Sequence, residues 1–303
     1  MFPQPIEKSC AGAQRSYKIA LPIALLIWLL PLVAVLLTSI RSAGDINSGN
    51  FWGMPTSFNM IENYTAVFTN TEIGKYIWNS IRVTIPTVIL TLFLSCLSGY
   101  ALAIYRFKAS MWLFFIFVAG NFVPFQILIV PVRDFSVQTG LYDTVTGLVL
   151  FHAAFQAGFC TLFMRNFFKA LPFELIESAR VEGVGEFKIF WHIVMPLMRP
   201  AIAALAVLIF TFIWNDYFWA TVLVQGDHAL PITAGLKTLN GQWISQWHLV
   251  SAGATMAALP PVLMFFTMQK HFIVGLTLGA TKGQWSIDYM SIPIRRYPQP
   301  SLF

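Results

Sequence analysis

Residues 19–40 read IALPIALLIWLLPLVAVLLTSI, a run of 22 residues that contains no Asp, Glu, Lys or Arg. A helix needs about 20 consecutive apolar residues to cross the hydrocarbon core of a bilayer. Arg15 and Lys18 precede the run, as basic residues precede the apolar part of a secretory signal peptide. That part has roughly 7–15 residues and is followed by a small-residue cleavage site, which this run lacks. We therefore predict a retained transmembrane helix.

Five further apolar runs follow, at residues 83–105, 111–132, 144–164, 201–224 and 249–268. Asp216 is the only Asp, Glu, Lys or Arg in the six runs. The chain of 303 residues is 57% hydrophobic and 11% charged, whereas soluble domains average about 25% charged residues. This composition excludes an ordinary soluble domain and predicts an all-α integral membrane protein with six transmembrane helices.

Six spans place both termini on one side of the membrane, together with the loops at residues 106–110 and 165–200. This side carries 14 of the 19 Lys and Arg residues, and short cytoplasmic loops are enriched in these residues. We therefore predict a cytoplasmic tail at residues 1–18, a transmembrane domain at residues 19–272 and a second cytoplasmic tail at residues 273–303.

The remaining composition argues against two other kinds of partner. The formal net charge is +6, but the basic residues are scattered between apolar runs, whereas nucleic-acid binding needs them on one face. The three cysteines and five histidines are widely spaced and form no metal-ligand pattern. We predict packing thiols, no nucleic acid, and no metal or cofactor bound by this chain.

Two sequence features predict how the helices pack. Small residues four positions apart, Ser95 with Gly99 and Gly253 with Ala257, predict close helix contacts. Prolines inside three of the runs predict kinks or breaks, and they are Pro86, Pro124 and Pro131.

The predicted cytoplasmic loop contains residues 171–196, LPFELIESARVEGVGEFKIFWHIVMP. Pro172 suits the start of a helix and Gly183 a left-handed helix end, so residues 173–182 are predicted to form one short helix. The spacing i, i+3, i+4, i+7 predicts an amphipathic second helix, with an apolar stripe of Phe187, Phe190, Trp191 and Val194. On pattern alone, this hairpin equally fits an element that rests on lipid headgroups.

The same loop resembles the EAA loop of type I ABC importer permeases. Two stretches carry the resemblance, Glu177-Ser-Ala-x-x-Glu-Gly183 and, after nine further residues, Ile193-x-Met-Pro196. The family pattern usually has Ala, Asp and Leu where this chain has Ser178, Glu182 and Met195. The resemblance implies an all-α, six-helix ABC importer permease with a cytoplasmic EAA coupling-helix loop.

In that family the loop docks into an ATPase subunit. The resemblance implies that Glu177 meets a basic group of the ATPase and that Gly183 permits a sharp turn. The residues it assigns to ATPase coupling are Glu177, Ser178, Ala179, Glu182, Gly183, Ile193 and Pro196. The implied partners are a homologous second permease chain, two ATPase subunits that hold ATP and Mg²⁺, an extracytoplasmic solute-binding protein and membrane lipid. The implied location is the bacterial cytoplasmic (inner) membrane.

From about residue 60 to residue 283, the chain resembles the carbohydrate-uptake branch of the family, in particular the second permease of maltose-type pairs. The features are the sequence WNDYF at residues 214–218, the ending at residues 272–283 and a short outer segment between the first two spans. They imply a sugar, oligosaccharide or related polyol as substrate. Residues 284–303 continue beyond the usual ending and are rich in Pro and basic residues, so we predict disorder there.

The fifth apolar run contains the candidates for a substrate path. Sugar hydroxyls need polar partners and pyranose faces stack on aromatic rings, so the candidates are Trp214, Asn215, Asp216, Tyr217 and Trp219. An equally weighted interpretation is the interfacial end of a helix with its aromatic belt.

The chain lacks a Gly-x-x-x-x-Gly-Lys-Ser/Thr motif, so we predict a transport subunit that does not bind ATP and is not an enzyme. One alternative is an ion-coupled secondary transporter that uses Asp216 as its carrier, although such folds usually show internal repeats. Another is an intramembrane enzyme, which would need facing catalytic groups. Neither repeats nor such groups are found in the sequence.

Overall fold

A computed structural model describes residues 10–50, 53–239 and 246–280, with side chains described up to residue 269, and its regular elements there are helices. The first seven α-helices are α1 (Ala11–Ser39), α2 (Ala43–Asn47), α3 (Met60–Thr69), α4 (Ile73–Ile104), α5 (Ser110–Gly120), α6 (Ile129–Gln138) and α7 (Val145–Lys169). The others are α8 (Glu174–Val181), α9 (Glu186–Lys188), α10 (Met195–Leu197), α11 (Arg199–Trp214), α12 (Phe218–Leu223), α13 (Ile232–Gly235) and α14 (Trp247–Ala280). Short 3₁₀ helices at Phe125–Leu128 and Leu236–Leu239 and a π-helix at Ile189–Val194 complete the described elements.

Four predicted runs are confirmed as long apolar helices, namely α1, α4, α7 and α14. Each helix extends beyond its apolar run: α1 begins at Ala11, α4 begins at Ile73, and α14 continues to Ala280. Apolar residues mark only the part of a helix that lies in the hydrocarbon core, whereas the hydrogen-bonded backbone can continue into water. The predicted domain boundaries after residues 18 and 272 therefore fall inside helices, and residues 284–303 lie outside the described part of the chain.

The third run, predicted as one span over residues 111–132, is not a single straight helix. It is divided between Ser110–Gly120 and Phe125–Gln138, which meet at 93°. Pro124 lies at the break, where proline removes a backbone donor and restricts the preceding residue. The structure thus confirms a break at Pro124, whereas Pro86 and Pro131 lie inside helices.

The fifth run, predicted as one span over residues 201–224, is also divided. Helix α11 ends at Trp214 and α12 begins at Phe218, so Asp216 lies in the break and not inside a helix. The helix pair Glu186–Leu197 and Arg199–Trp214 meets at 74° at the other end of α11. The described chain therefore has four spanning helices by length and composition, or up to six if each bent pair forms one span.

Helix α4 packs mainly against α7, and α11 packs against α14. One side of α4 carries a row of small polar residues that are all fully buried, namely Ser80, Thr84, Thr87, Thr91 and Ser95. A Cβ atom on Gly99 would come within 3.0 Å of the Arg165 backbone nitrogen and the Met164 Cβ, which confirms the predicted close contact. Gly253 is equally tight, since its added Cβ would lie 2.8 Å from Leu239.

The segment after α12 folds back onto the first turns of α4. The side-chain amide of Asn79 donates to the Leu230 carbonyl over 3.1 Å, and the Ser80 hydroxyl accepts from the Ile232 amide over 2.8 Å. Asp143 accepts from the Gln225 and Gly226 amides at 2.9 and 2.8 Å. These contacts fix the end of the chain's fifth apolar run relative to α4 and α7.

Candidate functional site

The turn of the EAA-like hairpin, residues 174–197, is set by Gly183. Its φ is +77°, in the left-handed region that suits glycine. The Gly183 amide donates to the Arg180 carbonyl and the Val184 amide to the Ala179 carbonyl, each over 3.0 Å, which is the Schellman pattern of helix ends. The predicted short helix and its left-handed glycine end are confirmed.

The second arm of the hairpin differs from the predicted amphipathic α-helix. Residues Ile189–Val194 form a π-helix, whose wider turns change which side chains share a face. Ile189, Phe190 and Val194 are buried, but Phe187 is 75% exposed and Trp191 37% exposed. The predicted four-residue stripe is therefore wrong for Phe187 and Trp191, whose rings lie 6.2 Å apart on the outside.

An ion pair within the hairpin, which was not predicted from the sequence, shares its carboxylate with a residue at the end of α4. The guanidinium of Arg180 contacts both carboxylate oxygens of Glu186, at 2.6 and 3.2 Å. The hydroxyl of Tyr105, the residue that follows α4, donates to the same carboxylate over 2.6 Å. The Arg180 guanidinium and then the Tyr105 hydroxyl lower the pKa of Glu186, and the hydrogen bond that Arg180 donates to Glu186 raises the pKa of Arg180. The signal for this ion pair in the sequence was the presence of opposite charges, Arg180 and Glu186, on the two sides of the predicted turn at Gly183.

The seven predicted coupling residues divide into two groups. Glu177, Ser178, Glu182, Gly183 and Pro196 are exposed, whereas Ala179 is buried and Ile193 is partly buried. In α8 the buried face is made by Ile176 and Ala179, at 1% and 5% exposure. The exposed group is available to a partner, while the other two residues hold the hairpin against the helices.

The break in the fifth apolar run is stabilised by Asp216. Its carboxylate accepts hydrogen bonds from the backbone amides of Trp219 and Ala220, at 3.3 and 2.9 Å. Such bonds satisfy the free amides at a helix start, so Asp216 caps α12. His152 lies 3.5 Å from the same carboxylate, and its side chain is only 6% exposed. Neither the cap nor the role of His152 was predicted from the sequence, where the only signal for His152 was a polar residue in the fourth apolar run.

The five candidates for the substrate path do not share one environment. Trp214 is buried and its indole nitrogen donates to the Ala257 carbonyl over 2.9 Å. Trp219 is also buried, with its ring 4.1 Å from that of Phe151. Asn215 and Tyr217 are exposed. Asn215 and Tyr217 thus lie on the surface of this chain, whereas the two tryptophan rings pack inside it.

Residues 91–277 match the protein family described as the binding-protein-dependent transport system inner membrane component. The chain belongs to this family. The predicted membership among ABC importer permeases is thereby confirmed, as is the all-helical fold class. This inner membrane component is a multi-pass membrane protein, in keeping with its long apolar helices.

Several relatives of this inner membrane component are similar over nearly their whole length. A probable ABC transporter permease protein of Pyrococcus horikoshii is 32% identical over 263 residues, which cover 86% of this chain and 93% of the relative. The arabinooligosaccharides transport system permease protein AraQ of Halalkalibacterium halodurans is 33% identical, with 84% and 91% covered. The lactose transport system permease protein LacG of Rhizobium radiobacter is 30% identical, with 74% and 81% covered.

The fold is similar to a chain of a solved bacterial ABC transporter that imports the acidic polysaccharide alginate. The TM-score is 0.77 at 23% identity, and the match covers 89% of this chain and 100% of that one. A second structure, of a bacterial alginate ABC transporter in complex with a pentasaccharide-bound periplasmic protein, matches at a TM-score of 0.62 and 14% identity. At these identities the similarity concerns the fold alone.

Proposed function

We propose that this chain is a permease subunit of an ATP-driven importer that moves a carbohydrate across the inner membrane. A solute-binding protein delivers the substrate from outside, and a homologous second permease chain completes the pathway. Two separate ATPase subunits hold ATP and Mg²⁺ and drive the movement. The observation that carries the proposal is the exposed outer face of the hairpin, held against the helix bundle in a chain of this family.

The hairpin has the physical properties of a coupling element. Its turn is fixed by the backbone at Gly183, and the Glu186 carboxylate links it to Tyr105 at the end of α4. Its second arm buries Ile189 and Val194 completely. Well-packed interiors transmit displacement because they are dense. A displacement of α8 is therefore transmitted through the rest of the hairpin to α4 and α11.

A carbohydrate substrate is supported by the names of the relatives, which include transport proteins for arabinooligosaccharides, lactose and diacetylchitobiose. In this chain the exposed Asn215 amide and Tyr217 ring supply the polar and aromatic surfaces that a sugar needs. They follow α11 directly, at the break in the fifth apolar run. We assign these two residues to the substrate path.

An ion-coupled transporter that uses Asp216 is disfavoured by the contacts of this carboxylate. Both oxygens accept backbone amides at the start of α12, and protonation would remove one of these acceptors. A carrier group must gain and lose its proton in each cycle. Uptake into vesicles that requires ATP and persists without an ion gradient is expected, whereas uptake driven by a gradient alone would reverse this assignment.

Charge reversal in α8 tests the coupling role. We expect Glu177→Lys to lower ATP-dependent sugar uptake by the reconstituted transporter at least tenfold, since loss of a paired interface charge costs about 2–5 kcal/mol. Glu174→Lys is the matched control, because Glu174 is exposed on the same helix and is not assigned to the interface. Equal uptake by both variants at equal membrane levels would rule out the role of Glu177.

A further inference from the structure

A basic pocket lies where the end of α4, the connection at residues 105–109, the start of α5 and the end of α7 meet. Its volume is about 630 Å³, within the range of small-molecule sites. Four cations line it, namely Arg106, Lys108, Arg165 and Lys169. The other lining residues are Leu102, Ala103, Tyr105, Phe107, Ser110 and Met111, so the lining contains no carboxylate.

The four cations have no acidic partner among the residues that the structure describes. In the described part of the chain none of them forms an ion pair with Asp or Glu. Glu186, which contacts Tyr105 at the edge of the pocket, is already paired with Arg180. Four unpaired like charges repel one another, and an anion in the pocket relieves that repulsion.

Arg165 is held in place before any ligand arrives. Its Nε atom donates to the Leu102 carbonyl over 3.3 Å, and its guanidinium carbon lies 4.3 Å from the centre of the Phe114 ring. These contacts leave the two terminal nitrogens without a hydrogen bond in the described residues. A planar guanidinium with free donors is well suited to a phosphate group.

An exposed apolar surface begins at the pocket. Trp112, Phe115 and Ile116 are 75%, 54% and 62% exposed, and their spacing places them on one face of α5. The 11 residues of α5 extend about 16 Å. This length is close to half of the roughly 30 Å hydrocarbon core, which is the depth that one acyl chain occupies.

We propose that this pocket binds the headgroup of an anionic phospholipid, whose acyl chains lie along the exposed face of α5. Basic pockets between helices at the membrane surface recognise such headgroups. The apolar face favours a lipid over a free phosphate compound, because only a lipid has acyl chains that contact Trp112, Phe115 and Ile116 while its headgroup fills the pocket. The site does not depend on the transported substrate, so the lipid-binding proposal can be tested independently of the proposed transport function.

The test is lipid binding by the purified full-length chain, measured by native mass spectrometry in detergent. Phosphatidylglycerol is expected to remain bound at collision energies that strip phosphatidylcholine with the same acyl chains. Each Lys or Arg near a membrane surface contributes about fivefold in affinity. Lys108→Gln with Lys169→Gln is therefore expected to weaken phosphatidylglycerol binding roughly twenty-five-fold.

Control variants distinguish lipid binding at this site from a general effect of net charge and from a loss of folding. Arg82→Gln removes one exposed charge near the opposite end of α4 and should leave binding unchanged. Arg165→Gln removes the positioned cation, but it also loses two internal contacts. If Arg165→Gln fails to fold, the variant with Lys108→Gln and Lys169→Gln still tests the proposed site.

Three results would overturn the proposal. The first is equal retention of the two lipids, or equal binding by the lysine variant and the Arg82 control. The second is displacement of phosphatidylglycerol by inorganic phosphate or glycerol 3-phosphate at equal concentration, which indicates a soluble phosphate ligand. The third is loss of lipid binding when the ATPase subunits are bound, which indicates that an acidic protein surface covers the pocket.

Discussion

Two of the helix ends, at Gly183 after α8 and at residues 215–217 after α11, are stabilised by different interactions. At Gly183 the turn depends on the backbone conformation of one glycine and on the exposed pair Arg180–Glu186. After α11 it depends on one carboxylate, Asp216, that accepts two backbone amides next to the buried His152.

The difference follows from the surroundings of each turn. Water satisfies unpaired groups at the exposed hairpin, so glycine and a surface ion pair are sufficient there. Trp219 and Ala220 are buried, where each unsatisfied backbone amide costs about 1–3 kcal/mol, and Asp216 supplies an acceptor for both amides. We therefore expect the turn at residues 215–217 to be more sensitive to a single side chain than the turn at Gly183.

The largest effect is expected at Asp216. Asp216→Ala leaves two amides at the start of α12 without an acceptor and should destabilise the protein by about 2 kcal/mol. Asp216→Asn keeps one acceptor oxygen and should cost about half as much. Thermal unfolding in detergent micelles measures both, with the exposed Asp134→Ala as control. If Asp216→Ala unfolds at the wild-type temperature, the cap does not stabilise this turn.

An intermediate effect is expected at the hairpin turn. Gly183→Val forces a side chain into the left-handed region, which costs about 1–2 kcal/mol. Gly185→Val is a sharp control, because Gly185 has an ordinary φ of −66° and an added Cβ meets nothing within 4 Å. The thermal unfolding temperature should therefore fall for Gly183→Val only, and a similar fall in both variants would show that bulk, rather than φ, limits this turn.

The smallest effect is expected for the ion pair. A double-mutant cycle with Arg180→Ala and Glu186→Gln should give a coupling energy of about 0.5–1 kcal/mol that declines in 1 M salt. The more distant exposed pair Lys75–Glu72, at 3.9 Å, should give less. A coupling energy larger than the destabilisation caused by Asp216→Ala would reverse the comparison of the two turns.

The ion pair also sets a direction for pH dependence. The folded pKa of Glu186 is lowered by Arg180 and Tyr105, so its contribution is fully present above the unfolded value of about 4.3. The contribution is lost as the pH falls through the folded pKa. Between pH 7 and pH 3, wild type should lose more stability than Glu186→Gln, as measured by thermal unfolding.

The apolar runs and the loop motif predicted the class of the protein because both signals are local. A run of about 20 apolar residues has the length that crosses the hydrocarbon core of a bilayer, and the helix end at Gly183 follows from the backbone preference of glycine. The π-helix at Ile189–Val194 and the burial of Trp214 could not be predicted in this way. They depend on which neighbouring helix each side chain meets, and that information is not contained in the spacing of one segment.

The sequence alone determined that the chain is a helical membrane component with a hairpin like the EAA loop, because hydrophobic length and glycine geometry act within a few residues. Only the tertiary structure decided that Asp216 caps α12 beside His152, that Glu186 joins Arg180 to Tyr105, and that four cations surround one pocket. These contacts join residues up to 81 positions apart. Their geometry exists only after the helices have packed.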